Sequence, residues 1–245
     1  MNKSNLIFLD AETTGKGPED RLCQVAYKFN GEEFESLFKP PIPIQVEAMS
    51  ISHITNKMVE DKDPFIGSQM CNHLNDICSE ENVIVAHNAQ FDVEMLKKEG
   101  IEAKNVIDTL KIAHHLDKEG VIPRYNLQYL RYFLELEIEN AVAHNALGDV
   151  RVLEKVFERL FQKMAGEFKD EHEVIQEMIR ISSLPILMKK FPFGKYKGLK
   201  VADVAKKDPG YLGWLLDEKM KEKNMGGDND ENWIYTFEYY LASAN

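Results

Sequence analysis

The chain has 245 residues, 44% of them hydrophobic and 29% charged, which is the composition of an ordinary globular protein rather than a disordered or fibrous one. Its 41 acidic residues outnumber 30 lysines and arginines, and the net charge of −11 argues against a bulk-electrostatic coat on nucleic acid, because the mean field repels phosphate. A protein of this charge that acts on phosphates needs local cations, either metal ions or a basic patch. The three cysteines, Cys23, Cys71 and Cys78, have unpatterned spacings that give neither a disulfide framework nor a zinc pattern. The apolar run Leu6–Leu9 stops at Asp10, short of a secretory signal, and nothing approaches the ~20 apolar residues of a membrane span. A cytoplasmic protein without a membrane partner is expected.

Taken in chain order, Leu6–Thr13 reads as a strand. Cys23–Phe29 and Glu33–Lys39 flank Asn30-Gly31, a dipeptide suited to the positive φ angles of a tight hairpin turn, so the first three strands form a meander. The proline-containing stretch Pro40–Pro64 reads as loop with a short helix. Phe65–Ser79 carries apolar residues at helical spacing. Val83–Ala86 is a buried-type strand, followed by a helix over Ala89–Glu99 that ends at Gly100. Asn105–Asp108 is a further strand, with helices over Thr109–Asp117 and Asn126–Leu136. Leu147, Val150, Leu153, Val156, Phe157, Leu160, Phe161 and Met164 mark a long amphipathic helix. Five strands, the first three a meander, predict a mixed α/β sheet with helices on both faces. The domain boundaries expected are 1–165 for this α/β domain, 166–188 for a charged connector, and 189–245 for a small lysine-rich α+β module.

Asp10-Ala11-Glu12 interrupts an apolar strand, and strand alternation puts both carboxylates on one face. Two adjacent acids repel each other and resist burial, which a divalent cation with oxygen ligands would relieve. Asp92 stands in the first turn of a helix, where the helix dipole alone also favours an acid. Asp149 lies on the apolar stripe of the long helix, four residues before Leu153, and breaks its pattern. Each of these four acids sits at the boundary of an apolar element, so they can converge at one end of one sheet. Two Mg²⁺ or Mn²⁺ ions ~3.5–4 Å apart would neutralise such a cluster and build a phosphodiester-cleaving site. His144, with an ordinary pKa of ~6.5, is placed to take a proton from water near neutral pH.

Three stretches resemble the three motifs of the DEDDh 3′→5′ exonucleases, a ribonuclease-H-like family. They are Asp10-Ala11-Glu12-Thr13-Thr14-Gly15, His87-Asn88-Ala89-Gln90-Phe91-Asp92 and His144-Asn145-Ala146-Leu147-Gly148-Asp149. The resemblance covers about residues 5–163. It implies a metal-dependent hydrolase that releases nucleoside 5′-monophosphates from DNA 3′ ends. Asp10, Glu12 and Asp149 would hold the metal that activates the attacking water, and Asp10 with the scissile phosphate would hold a second, with Asp92 assisting. His144 would be the general base. Substrate contacts are implied for Ala11, Thr13, His53 and Asn88, while His87 is implied to be structural. RNA 3′-end trimming, polymerase proofreading and catalytically silent nucleic-acid binding stay open as alternatives, and repair or replication proteins as partners.

Between Lys189 and Lys207 stand seven lysines and one acid, Asp203, the one strongly basic stretch of an acidic chain. Phe193-Gly194-Lys195-Tyr196-Lys197-Gly198 and Asp208-Pro209-Gly210-Tyr211-Leu212-Gly213-Trp214-Leu215 resemble the C-terminal module of exonuclease X proteins. The lysines, interleaved with Tyr196, Tyr211 and Trp214, suggest a surface where phosphates meet ammonium groups and bases stack. Lys195, Lys197 and Lys200 are the nucleic-acid contacts expected there.

Overall fold

The computed structural model describes residues 5–78, 81–138, 146–226 and 230–243. Its strands are β1 (Leu6–Thr13), β2 (Leu22–Phe29), β3 (Glu32–Leu37), β4 (Val83–Ala86) and β5 (Val106–Asp108). The helices are α1 (Val46–Ser52), α2 (Asn56–Val59), α3 (Gln69–Ile77), α4 (Gln90–Lys98), α5 (Thr109–Leu116), α6 (Leu127–Phe133), α7 (Ala146–Ala165), α8 (Glu171–Ser183), α9 (Val201–Lys207), α10 (Pro209–Asn224) and α11 (Glu231–Ala242). The chain divides into two compact units, residues 1–112 with 124–182, and residues 113–123 with 183–245. No helix among the described residues is long and apolar enough to cross a membrane.

The first unit holds one five-stranded sheet in the order β3-β2-β1-β4-β5. The β2–β3 hairpin closes at Asn30 (φ 51°) and Gly31 (φ 83°), the two positive angles that its tight turn requires. β1 runs antiparallel to β2 and parallel to β4, and β4 parallel to β5, so the sheet is mixed. Ile7, Leu9, Ala11, Val25 and Tyr27 face a core closed by Cys71 and Leu74 of α3 and by Met95 and Leu96 of α4. On the other face Phe8 meets Phe157 of α7 edge-on, with ring centroids 5.4 Å apart. The three cysteines are free thiols, Cys23 and Cys71 buried.

Ion pairs fix α7 against the outer strands. Lys28 pairs with Glu154 at 2.7 Å, and Arg151 meets Glu33 with two hydrogen bonds of 2.9 and 2.6 Å. Glu35 on the edge strand accepts from the N–H of Leu147 at 3.3 Å, a carboxylate at a helix N-terminus where the dipole favours one. Residues 166–182, read from their charge as connector, fold with the first unit. There α8 presents Ser182, whose hydroxyl accepts from the Asp108 N–H at 2.8 Å and whose carbonyl accepts from Lys111 at 2.8 Å.

The second unit is built from α9, α10 and α11 around Phe191, Tyr196, Val204, Leu212, Trp233 and Phe237. The Phe191 ring stacks on Trp233 at 5.4 Å. One antiparallel bridge, Lys190 to Lys200, is the β pairing of this unit among the described residues. Residues 113–123 belong to this unit because its lysines hold them. Lys190 donates to the Gly120 carbonyl at 2.8 Å, and Lys200 pairs with Glu119.

Candidate active site

The position of the acids follows from strand and helix geometry. β1 pairs with β4 only from Leu6 to Phe8, so Asp10 and Glu12 continue past the paired stretch. From Phe8 to Glu12 is ~13 Å along a strand. From Phe157 back to Asp149 is ~12 Å along a helix. Since Phe8 touches Phe157, and α7 runs against β1, Asp149 arrives over Glu12. Burial and the Asp149 charge together push the Glu12 carboxyl up to about 7. Asp10 is raised well above the usual carboxylate range, by burial first and then by the charges of Asp92, Asp149 and Glu12. Four acids from β1, α4 and α7 therefore lie in one another's field.

Asp92 reaches the site from the first turn of α4. Beyond the paired part of β4, the N–H of Ala11 has lost a strand partner, and the Asp92 Oδ1 accepts it at 3.1 Å. Burial nevertheless pushes Asp92 up to about 8, with the Ala11 and Asp92 backbone N–H groups opposing the shift. Asp149 Oδ1 accepts from the Gln128 Nε2 of α6 at 2.5 Å. Among the described residues no three His, Cys, Asp or Glu side chains are grouped to hold a metal ion as they stand. Asp92 and Asp149 each turn an oxygen to a protein donor, the Ala11 N–H and the Gln128 amide. The donor set still fits hard divalent cations. It consists of carboxylate oxygens whose pKa values are raised by burial first and by mutual repulsion second, and such a cation would offset both.

That repulsion has a measurable consequence. The folded protein holds protons on Asp10, Glu12 and Asp92 above the ordinary values of 3.8 and 4.5, whereas the unfolded chain does not. Between that range and about pH 7–8 the folded state binds more protons, so metal-free stability falls as pH rises through the window. Thermal unfolding should show the metal-free midpoint dropping from pH 5 to pH 8, with Mn²⁺ restoring more at pH 8. A stabilisation by Mn²⁺ that is equal at both pH values would count against the cluster.

The remaining residues singled out in the sequence take these places. His144 lies outside the described residues. Thr13 is buried, and its hydroxyl donates to the Gly15 carbonyl at 2.7 Å. The Ala11 N–H is committed to Asp92 and is not a free donor. His53 ends α1 in the left-handed region (φ 59°), its N–H on the Met49 carbonyl. Asn88 turns between β4 and α4 with φ 64°, and its N–H donates to Asp108 at 3.0 Å. Asp108 also accepts from Leu110 N–H at 3.0 Å, as a helix cap does. His87 is tied down. Its Nε2 faces the Tyr125 carbonyl at 2.6 Å, which can only accept, so that nitrogen carries the proton. In the second unit Lys195 pairs with Asp208 at 3.1 Å and Lys200 with Glu119.

Two supporting residues carry no linear signal. Asp20 is buried and accepts from the Thr14 hydroxyl and the Gly17 N–H, both at 2.6 Å, fixing the loop that follows β1. A Cβ on Gly15 would stand 2.6 Å from the same carboxylate, so the turn admits glycine alone. Gln128 is the second. Its Oε1 is buried without a partner among the described residues, so the amide serves Asp149 at some cost to itself. Replacing it with Leu should lower metal affinity or turnover by about 10–100-fold. The melting temperature of the metal-free protein should hold. Calorimetric Mn²⁺ titration, read beside the melt, separates this from a general loss of fold.

The chain is similar to known proteins along most of its length. Residues 7–157 match the family described as Exonuclease, and residues 191–219 match the segment described as Exodeoxyribonuclease X-like C-terminal. Exodeoxyribonuclease 10 of Escherichia coli K12 is 32% identical over 184 residues, covering 74% of this chain and 75% of that protein. The DNA polymerase III subunit epsilon of Treponema pallidum is 33% identical over 60% of this chain and 72% of its own. Among solved structures, exonuclease X in complex with 5′-overhanging duplex DNA superposes with a TM-score of 0.57 at 24% identity, over 73% of this chain and 99% of that one. The family uses divalent metal ions, in keeping with an all-carboxylate donor set. With a family match over most of its length and four acids converging at the end of β1, the chain belongs to the exonuclease family.

Proposed function

We propose that this exonuclease removes nucleotides one at a time from the 3′ ends of DNA and releases nucleoside 5′-monophosphates. The observation that carries the reading is the convergence of Asp10, Glu12, Asp92 and Asp149, from three elements, into one mutually repelling cluster. Asp10, Glu12 and Asp149, with Asp92 beside them, would hold two divalent cations, Mg²⁺ or Mn²⁺, which supply Lewis acidity to the attacking water and the leaving 3′-oxygen. Asp92 keeps the end of β1 in place through the Ala11 N–H, and Gln128 orients Asp149. His144 acts as the general base that takes the proton of the attacking water. Ala11, Thr13, His53 and Asn88 line the approach of the terminal nucleotide, His53 with an exposed side chain.

Support for DNA over RNA comes from the exodeoxyribonuclease relative and from the C-terminal match over residues 191–219. The epsilon-subunit relative supports a second reading, proofreading beside a polymerase, and co-purification with a polymerase would favour it. The test is digestion of DNA and RNA oligonucleotides labelled at either end, with Mg²⁺ and with EDTA. The proposal expects a labelled mononucleotide at once from 3′-labelled DNA and a ladder of shortening products from 5′-labelled DNA. No cleavage in EDTA and slower cleavage of RNA are also expected. Cleavage from the 5′ end, or in EDTA, would overturn it.

A further inference from the structure

Lysines alone do not make the second unit a nucleic-acid surface, since its own acids answer several of them. Lys195 is held by Asp208 and lies over the Tyr196 ring at 4.7 Å, and Lys200 is paired with Glu119. Burial pulls the Lys189 pKa down, as its side chain is drawn out of water. Lys190 is engaged by the Gly120 carbonyl, and Lys197, Lys206 and Lys207 remain, all three exposed and with no carboxylate partner among the described residues. The same unit carries a run of aromatic contacts. Tyr196 meets Tyr211 edge-on at 5.1 Å, and Tyr211 meets Trp214 at 5.8 Å. Tyr196 is buried and its hydroxyl donates to Asp208 at 2.8 Å, while Trp214 leaves 55% of its surface in water. The other tryptophan, Trp233, is buried at 5%.

The helix around Trp214 is bare. Gly210 precedes it by four residues on α10, hence on the same face one turn away, and Gly213 stands beside it. Packing does not demand either one, as a Cβ on Gly213 would meet nothing within 4 Å and one on Gly210 only Asp208 at 3.8 Å. Their effect is to leave the indole face unobstructed. The next acids along α10, Asp217 and Glu218, begin one turn past Trp214, and Glu218 is engaged by Lys221 at 2.7 Å.

We propose that Trp214, on the bare first turns of α10 in a unit that also exposes Lys197, Lys206 and Lys207, is a stacking platform for an unpaired base of single-stranded DNA. The indole supplies a π face, and exposed ammonium groups of the same unit answer the phosphates. An aromatic surface of this kind tolerates any base sequence, because every base has a π face.

The full chain, in EDTA so that nothing is hydrolysed, is titrated with fluorescein-labelled oligo(dT) and with a blunt duplex of two annealed complementary strands. Oligo(dT) is expected to quench the exposed tryptophan and to bind roughly 5- to 100-fold more weakly to Trp214→Ala, the range for loss of one stacked base. Trp214→Phe should keep most of the affinity while losing the quench, which shows that an aromatic face and not indole chemistry is used. Lys197→Ala with Lys207→Ala should weaken oligo(dT) binding and flatten its salt dependence. The blunt duplex, with no unpaired base, should bind Trp214→Ala and wild type alike. Wild-type affinity for oligo(dT) in Trp214→Ala would overturn the proposal, as would quenching by polyglutamate in place of DNA, which would assign the surface to an acidic protein partner. Because no cleavage is involved, failure here leaves the exonuclease reading intact, and failure of the cleavage assay leaves this one intact.

Discussion

Asp10→Ala is expected to abolish hydrolysis while leaving the metal-free protein as stable as the wild type or more so. Both halves follow from one fact. Asp10 is the acid most crowded by others, feeling burial first and then the charges of Asp92, Asp149 and Glu12. Removing it deletes the carboxylate expected to be shared by two cations, and it deletes one member of a like-charge cluster. A buried residue that holds structure would behave in the opposite way, because truncating a side chain in a packed interior usually destabilises by a few kcal/mol. Asp10→Asn, nearly the same shape, isolates the charge and should give the same loss of turnover with the melting temperature unchanged or higher at pH 8. The check is paired, with release of labelled nucleotide against time and thermal unfolding in EDTA. Wild-type turnover in either variant would remove Asp10 from the site.

His144→Ala is expected to lower turnover by roughly 10²–10⁴-fold, the usual contribution of a positioned general base. Metal affinity should stay near that of the wild type, because the residue is assigned to a proton and not to a cation. The two variants are thus distinguishable. Asp10→Ala loses Mn²⁺ binding with activity, while His144→Ala loses activity alone. Wild-type turnover should fall as pH drops below ~6.5, where an ordinary imidazole is protonated, and the variant should lose that limb of the profile. Calorimetry and a pH–rate series read the two properties separately. A variant that keeps the acid limb would place the base elsewhere.

Much of this site was legible because strand and helix periods are strict. An acid pair two residues apart in an apolar strand must share a face, and an acid on the apolar stripe of α7 must point at the sheet. The Asn30-Gly31 turn was legible for the same local reason, its φ angles of 51° and 83° being those its residue types allow. The supports were not legible, because they are made across the fold. Gln128 lies 21 residues from Asp149, and Glu35 lies 112 residues from the Leu147 N–H it caps. Neither residue breaks a pattern where it stands. The Ala11 N–H that Asp92 accepts is free only because β1 outruns its pairing with β4, a matter of register that no spacing reveals.

The lysine-rich stretch shows the converse. Seven lysines against one acid look like a positive field when counted along the chain, but charge acts through space. Asp208 sits just past the end of the stretch and Glu119 far before it, and each answers a lysine. Residues 113–123 fold with that module for the same reason, through Gly120 and Glu119, although nothing in their own sequence separates them from the first domain. The exposed face of Trp214, and exposed lysines of the same unit with no carboxylate partner among the described residues, are what that tertiary pairing leaves.

Calorimetric titration of Mn²⁺ into the metal-free protein at pH 8, in wild type and in Asp10→Ala, Glu12→Ala and Asp149→Ala, tests the central claim most directly. Binding in the wild type that is lost in Asp10→Ala and weakened in the other two is the predicted result. Equal binding by all four proteins would contradict it, since the cation would then rest on other residues and the acids at the end of β1 would have no common task.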